Sequence, residues 1–171
     1  HDIGMDHFAL EHDTLYQAWQ KGKLHRNFMG YTTQPTRMLI GLGVSAISDA
    51  AVAFVQNEKN LHDYYESIKQ HKLPVRKGYV LNNEDQLFRK SILDVICTGK
   101  TVFHPMQREL LMQYSFPALK ELADDGLVDY NVKELTVTPM GHYFIRNICS
   151  CLDMHLMRSA SVSKPVFSKA I

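Results

Sequence analysis

The chain has 171 residues, of which 45% are hydrophobic, 10% aromatic and 22% charged, with a formal net charge of +1. That is enough apolar material for one sizeable core, or for one domain plus part of another. The near balance of charge offers no electrostatic case for nucleic acid or a membrane surface, and no apolar run approaches the ~20 residues that crossing a bilayer requires.

Residues 2–9 alternate and carry β-branched and aromatic side chains, which predicts a strand running into a polar loop. Asp13 or Thr14 is placed to cap a helix containing Leu15, Ala18 and Trp19, and Gly22 stops it. Strand, helix and the segment 28–48 together have the rhythm of an α/β barrel edge. Ser48 or Asp49 is expected to start a helix over 50–56. Residues 1–57 thus read as the C-terminal edge of a catalytic α/β (TIM-like) barrel domain.

Residues 58–80 read as a helical bridge. Asn60 caps a helix whose Leu61, Tyr64, Tyr65 and Ile68 fall at i, i+3, i+4 and i+7, and Pro74 forbids its continuation. Residues 81–171 read as a helical C-terminal domain with an extended tail. Asn83 is expected to cap a helix over 84–98 with Leu87, Phe88, Ile92, Leu93, Val95 and Ile96 on one broad face, ended by Gly99. A helix over 106–114 and another over 118–124, opened by Pro117, follow. Segments 127–130 and 134–138 alternate across Asn131 as a hairpin. Thr138-Pro139 signals a last helix over 140–157, apolar through Tyr143, Phe144, Ile145, Ile148, Cys151 and Leu152, before a polar tail over 159–171.

The expected fold class is α+β, mainly helical, with the small hairpin making the C-terminal domain winged-helix-like. That shape raises nucleic-acid binding as a rival function. The candidate recognition helix, Phe116 onward through Lys120, Glu121, Asp124 and Asp125, carries one lysine against three acids. Such a face is poor for phosphate, and no nucleic-acid partner is expected.

Three cysteines are no disulfide framework. Cys97 stands alone, and Cys149 and Cys151, two apart, point some 200° away from each other on a helix. Three buried, reduced thiols are the expectation. The nine histidines do not cluster, so no metal site is expected. The chain opens on His1 as if a strand were already under way and holds no complete constellation for catalysis, so it reads as a piece of a longer protein.

The most specific stretch is 24–48, LHRNFMGYTTQPTRMLIGLGVSAIS. Glycines two apart followed by small residues let the backbone approach something bulky. With Ile3-Gly4-Met5-Asp6-His7-Phe8-Ala9 upstream, Asp125-Gly126-Leu127-Val128, Ile145-Arg146-Asn147-Ile148-Cys149 and the ending Phe167-Ser168-Lys169-Ala170-Ile171, this run resembles the oxygen-independent coproporphyrinogen III oxidases (dehydrogenases), a radical S-adenosylmethionine family. The resemblance covers nearly all 171 residues and assigns them to the C-terminal portion of a longer enzyme.

What the resemblance implies is oxidative decarboxylation of two propionates of coproporphyrinogen III to vinyl groups, giving protoporphyrinogen IX in heme biosynthesis. The cofactors implied for the parent are S-adenosylmethionine and a [4Fe-4S] cluster whose ligands lie outside this chain. No catalytic residue and no metal ligand are expected within it, and alone it is expected to be inactive. The cofactor-binding positions that the resemblance carries over are Ile47, an apolar platform beside the adenosyl group, and Phe28 and Met29. At the last of these many relatives have a glutamine, whose amide a thioether cannot replace. Arg26 has the chemistry for carboxylate recognition, but pairing with a local acid or a backbone carbonyl is the expectation, since arginine so often does that. The parent is expected to be a soluble, cytoplasmic monomer that meets porphyrinogen and S-adenosylmethionine through its missing N-terminal domain. The alternatives are a heme chaperone of the same superfamily and a stand-alone helical interaction module.

Overall fold

Residues 1–160 are described by a computed structural model of the chain. Packing divides it into two units, one formed by His1–Thr33 with the described part of Leu87–Ile171, the other by Gln34–Gln86. The sequence had divided the chain at 57 and 80, where composition and helix signals change; the packing groups it differently.

In the first unit the expected opening strand is a hairpin. β1 (Asp2–Gly4) and β2 (His7–Phe8) pair antiparallel around Met5 and Asp6, which both have positive φ, 48° and 69°. Alternation alone cannot distinguish one strand from two joined by a two-residue turn, and this turn lacks the Asn-Gly that announces such a reversal. α1 (Thr14–Gln20) starts as expected, with Asp13 accepting a 2.7 Å hydrogen bond from the Leu15 N–H. β3 (His25–Asn27) and β4 (Gly30–Thr32) make a second small hairpin. Ile3, Ala9, Tyr16 and Leu24 bury themselves with Cys97, and Ile96 packs alongside.

Those two residues belong to α3 (Asn83–Thr98). Its cap lies one residue earlier than expected. Asn82 Oδ1 accepts from the Asp85 N–H (2.9 Å) while Asp85 Oδ2 accepts from the Asn82 N–H (3.0 Å), a reciprocal box that satisfies donors at both positions. Phe88 and Val95 of this helix enter the larger core with Leu111, Leu119, Leu135 and Ile148.

A helical run follows instead of two separate helices: a 3-10 turn (Pro105–Gln107), α4 (Arg108–Leu110), a π turn (Leu111–Ser115) and α5 (Phe116–Asp124). Pro117 has no N–H for the Gln113 carbonyl, and the wide turn, in which the Phe116 N–H bonds the Leu111 carbonyl, absorbs that defect without a break. The expected hairpin forms from β9 (Val128–Tyr130) and β10 (Glu134–Val137). A third strand, β8 (Lys100–Val102), too short to show a period in sequence, joins it in the antiparallel order β8-β10-β9.

The single last helix expected over 140–157 is three pieces: a 3-10 turn (Gly141–Phe144), α6 (Ile145–Ser150) and α7 (Met154–Ala160). The Cys151 and Leu152 N–H groups turn back to the carbonyls of Ile148 and Cys149, and Asp153 restarts the chain by accepting from the Leu156 N–H. Ile145, Ile148, Cys151 and Leu152 are buried, whereas Tyr143 and Phe144 of the expected stripe are exposed. The tail beyond residue 160 lies outside the described residues.

The second unit is a three-stranded antiparallel sheet, β5 (Ile47–Asp49), β6 (Ala53–Asn57) and β7 (Val75–Val80) in the order β5-β6-β7, with α2 (Leu61–Lys69) between β6 and β7. The helix expected over 50–56 is therefore a correction. Asp49 Oδ1 accepts from the Ala51 N–H (3.0 Å) and Ala51 sits at φ 66°, a side-chain-closed turn that reverses the chain. Beyond it Phe54 and Val55 have the shapes that suit a pleated surface. α2 is capped by Asn60 as expected, but no residue of it is buried, and β7 is exposed along its whole length.

Candidate functional site

Of the three positions carried over by resemblance, Phe28 and Met29 belong to the first unit and Ile47 to the second. Phe28 and Met29 form the two-residue connection between β3 and β4, closed by the Asn27–Gly30 pair and by Asn27 Oδ1 accepting from the Met29 N–H (2.8 Å). Both side chains are exposed at the tip, Met29 to 85%. The aromatic and the thioether are thus presented outward, not consumed by a core.

Behind that tip lies a half-buried polar knot. The Arg26 guanidinium sits over the Tyr31 ring at 5.0 Å, and the His7 ring meets the same tyrosine edge-on at 5.1 Å. Tyr31 donates its hydroxyl to the Ile96 carbonyl (3.1 Å). Burial pushes its phenol up to about 12, against the opposing pull of Arg26. Gly30 is required here: it has φ 129°, and a Cβ would lie 2.7 Å from His7 Nε2. One terminal guanidinium nitrogen of Arg26 is buried without a hydrogen-bond partner among the described residues. The residue singled out for carboxylate recognition therefore stacks inside the first unit.

The cysteines are buried as expected. Desolvation raises all three thiols, Cys97 and Cys151 to about 11 and Cys149 to about 12, so at neutral pH they are protonated and unreactive. Among the described residues no three His, Cys, Asp or Glu side chains come together to hold a metal ion.

Ile47 closes the other candidate element, the 41–48 loop, and it is this loop that shows a built geometry. Gly41 and Gly43 begin it, with Gly43 at φ 97° and Ser45 at φ 63°. A Cβ at Gly41 would lie 2.6 Å from the Ile47 carbonyl oxygen, so the loop closes on itself only with glycine there. Ser48 Oγ accepts from the Gly41 N–H (3.0 Å). The buried Asn57 donates both N–H bonds of its amide, to the carbonyls of Gly41 (3.1 Å) and Gly43 (2.9 Å). Its backbone N–H bonds the Ala46 carbonyl (2.9 Å), and the Ser45 N–H bonds Glu58 (2.8 Å).

With the carbonyls of Gly41, Gly43 and Ala46 bonded, the loop also exposes apolar side chains. Leu42 is 86% exposed and Ile47 37%, and a side chain at Gly43 would meet nothing within 4 Å. Exposed apolar side chains beside open space are chemically compatible with a flat, largely apolar ligand surface. Sequence reasoning named Ile47 but missed Asn57, which is distant from the GLG motif and gains meaning only when β6 returns beside it.

No family model matches the chain. Curated relatives do. It is 38% identical over 175 residues to the oxygen-independent coproporphyrinogen III oxidase of Escherichia coli, covering 99% of this chain and 38% of that protein. To the enzyme of the same name from Pseudomonas aeruginosa it is 36% identical, again over 99% of this chain and 37% of the relative. To that of Thermostichus vulcanus it is 39% identical, over 99% and 53%. A solved structure of the Escherichia coli coproporphyrinogen III oxidase, described as a radical SAM enzyme, superposes with a TM-score of 0.80 at 40% identity, over 90% of this chain and 37% of that one. The chain spans about two fifths of the Escherichia coli and Pseudomonas relatives. It is thus homologous, along 99% of its own length, to the C-terminal part of oxygen-independent coproporphyrinogen III oxidases.

Proposed function

We propose that this chain is the C-terminal portion of an enzyme that oxidatively decarboxylates two propionate groups of coproporphyrinogen III to vinyl groups, giving protoporphyrinogen IX in heme biosynthesis. The observation that carries the reading is the unbroken similarity to enzymes of that name across 99% of the chain. S-adenosylmethionine and a [4Fe-4S] cluster, when bound in the whole protein, supply the radical that removes a hydrogen atom from each propionate. Loss of carbon dioxide and of one electron to an acceptor then leaves the vinyl group. The cluster thiolates belong to residues outside this chain.

The chain's own part is to supply cofactor contacts from each unit: Ile47 of the second as an apolar platform against the adenosyl group, and Phe28 and Met29 of the first as further cofactor-binding positions. An apolar wall favours a flat ligand and excludes water from the reacting region. The methionine packs where many relatives would hydrogen-bond, so binding there rests on contact area. We further read residues 1–57 as the edge of a TIM-like barrel, 58–80 as a bridge and 81–171 as a winged-helix-like C-terminal domain. The sheet order β8-β10-β9, with β8 following α3 and the β9–β10 hairpin following α5, supports the last of these, and the uncovered apolar side chains of the second unit support the first. No helix among the described residues is long and apolar enough to cross a membrane, and the poor phosphate face of α5 accords with the expectation of no nucleic-acid partner; we read the whole protein as a cytoplasmic monomer.

The test begins with the gene upstream of His1, where a CxxxCxxC motif is expected. The full-length protein, reconstituted anaerobically with cluster, reductant and S-adenosylmethionine, is expected to release two carbon dioxide molecules per coproporphyrinogen. Absence of the motif sinks the reading. A protein that binds heme without turning over porphyrinogen favours the chaperone instead.

A further inference from the structure

We infer that Asn57 is a positioning residue for the cofactor: by gathering the carbonyls of Gly41 and Gly43 it fixes the loop that presents Ile47. The inference rests on the proposed contact between Ile47 and S-adenosylmethionine and names what holds that contact in place. Three features of the structure converge on it.

Asn57 is 7% exposed, and its amide nitrogen bonds two carbonyls fourteen and sixteen residues upstream, at 2.9 and 3.1 Å. A buried amide that spends both donors on one loop is a strut, since each of those carbonyls would otherwise need another partner. The same residue clamps the loop a second time through its backbone N–H to Ala46, immediately before Ile47. The loop also cannot reach this shape by default. Ser45 holds a left-handed φ of 63°, and the Gly41 position tolerates no Cβ against the Ile47 carbonyl. Strain of this kind persists only where surrounding bonds over-determine the backbone.

Turning two carbonyls towards Asn57 has a chemical consequence. An unpaired carbonyl facing a flat apolar ligand would be desolvated without compensation. With both carbonyls bonded, what the loop exposes at Leu42 and at Ile47 is apolar side chain. Aspartate at position 57 keeps the size but brings acceptor oxygens against acceptor carbonyls, so it removes the strut without opening a cavity.

The experiment uses the full-length protein carrying Asn57→Asp, Ser48→Ala, Ile47→Asp or, as a control on the exposed side of α2, Ser67→Ala. S-adenosylmethionine affinity is measured by equilibrium dialysis on protein whose iron content matches wild type, and backbone exchange of residues 41–48 by hydrogen–deuterium mass spectrometry. Asn57→Asp is expected to weaken affinity about tenfold, the worth of two neutral hydrogen bonds, and to speed exchange in the loop with iron retained. Ser48→Ala is expected to act in the same direction but less, and it carries the test if Asn57→Asp does not fold; Ser67→Ala changes neither readout. Faster exchange with wild-type affinity makes Asn57 an internal strut only and overturns the inference. Affinity lost in Ile47→Asp but kept in Asn57→Asp overturns the inference alone, leaving the Ile47 contact standing. Affinity lost in Asn57→Asp but kept in Ile47→Asp removes Ile47 as the contact and overturns the inference as stated, since Asn57 then acts on the cofactor by another route. Wild-type affinity in both overturns both.

Discussion

In the first unit Leu111, Leu119, Leu135, Ile148 and Leu152 are completely shielded from solvent, whereas in the second Leu42, Leu73 and Val80 each keep three quarters or more of their surface exposed. The same kinds of side chain are present in both. A fully buried leucine contributes about 1.5–3 kcal/mol over an exposed one, so the first unit draws on a term that the second largely forgoes. What shapes the second is its antiparallel ladder and the hydrogen bonds from Asn57, worth about 0.5–1.5 kcal/mol each. A segment built this way can hold a precise loop and still leave its apolar faces for another part of the protein to cover.

The comparison breaks most readily at the core. Leu135→Ala is expected to cost the chain about 2–5 kcal/mol in chemical denaturation, as deletions in packed cores do. Leu42→Ala, an equal deletion in the second unit, is expected to stay within about 0.5 kcal/mol. Equal losses would mean that Leu42 is covered in solution. Gly141→Ala belongs beside Leu135→Ala. A Cβ there overlaps the Leu127 carbonyl, which is backbone and cannot swing aside, so a loss of about 3 kcal/mol is expected on the same denaturation curve.

A smaller effect separates the units by pH. The buried Cys149 thiol is pushed up to about 12. It stays protonated in the folded chain after it has ionised in the unfolded one. Its stability contribution is therefore complete below the unfolded value of about 8.5 and declines as pH rises from there towards 12. Cys149 is expected to contribute about 1.4 kcal/mol per pH unit to the slope between pH 9 and 11, and Cys149→Ala should reduce the slope by that share, Cys97 and Cys151 keeping theirs. A slope unchanged in that variant would show that the thiol is not shielded. The second unit holds no cysteine, so exchange within its β5–β7 ladder should not follow this titration.

The smallest change sharpens the reading of the exposed faces. Leu73→Ser is expected to be neutral within about 0.5 kcal/mol in the 171-residue chain and to cost about 2 kcal/mol in the full-length protein, where an upstream domain would bury it. Neutrality in both would leave this face of the 58–80 bridge solvent-exposed and remove the reading that an upstream domain covers it.

Local chemistry was legible wherever one residue decides an outcome. Asp13 and Asn60 cap their helices, Gly99 and Gly126 follow helix ends at φ 71°, and the hairpin over β9 and β10 forms across Asn131. These depend on contacts between neighbours in sequence, which short motifs encode directly. The run of motifs from Ile3 to Cys149 likewise carried the family resemblance without any structure, and Ile47, Phe28 and Met29 came with it.

Tertiary structure decided what needs two distant segments. Residues 50–56 have alanine and glutamine enough for a helix, yet they extend because β7 and β5 stand ready on either side to take their hydrogen bonds. Residues 2–9 could be one strand until Gly4 and His7 pair across Met5 and Asp6. Ile3, Tyr16 and Leu24 bury themselves with Cys97, a contact across more than seventy residues that no local pattern announces. Asn57 is the clearest case. In sequence it is one polar residue at the end of a strand; its role exists only because β6 runs back beside the 41–48 loop and puts its amide within reach of two glycine carbonyls, bonds that close only after the chain has folded.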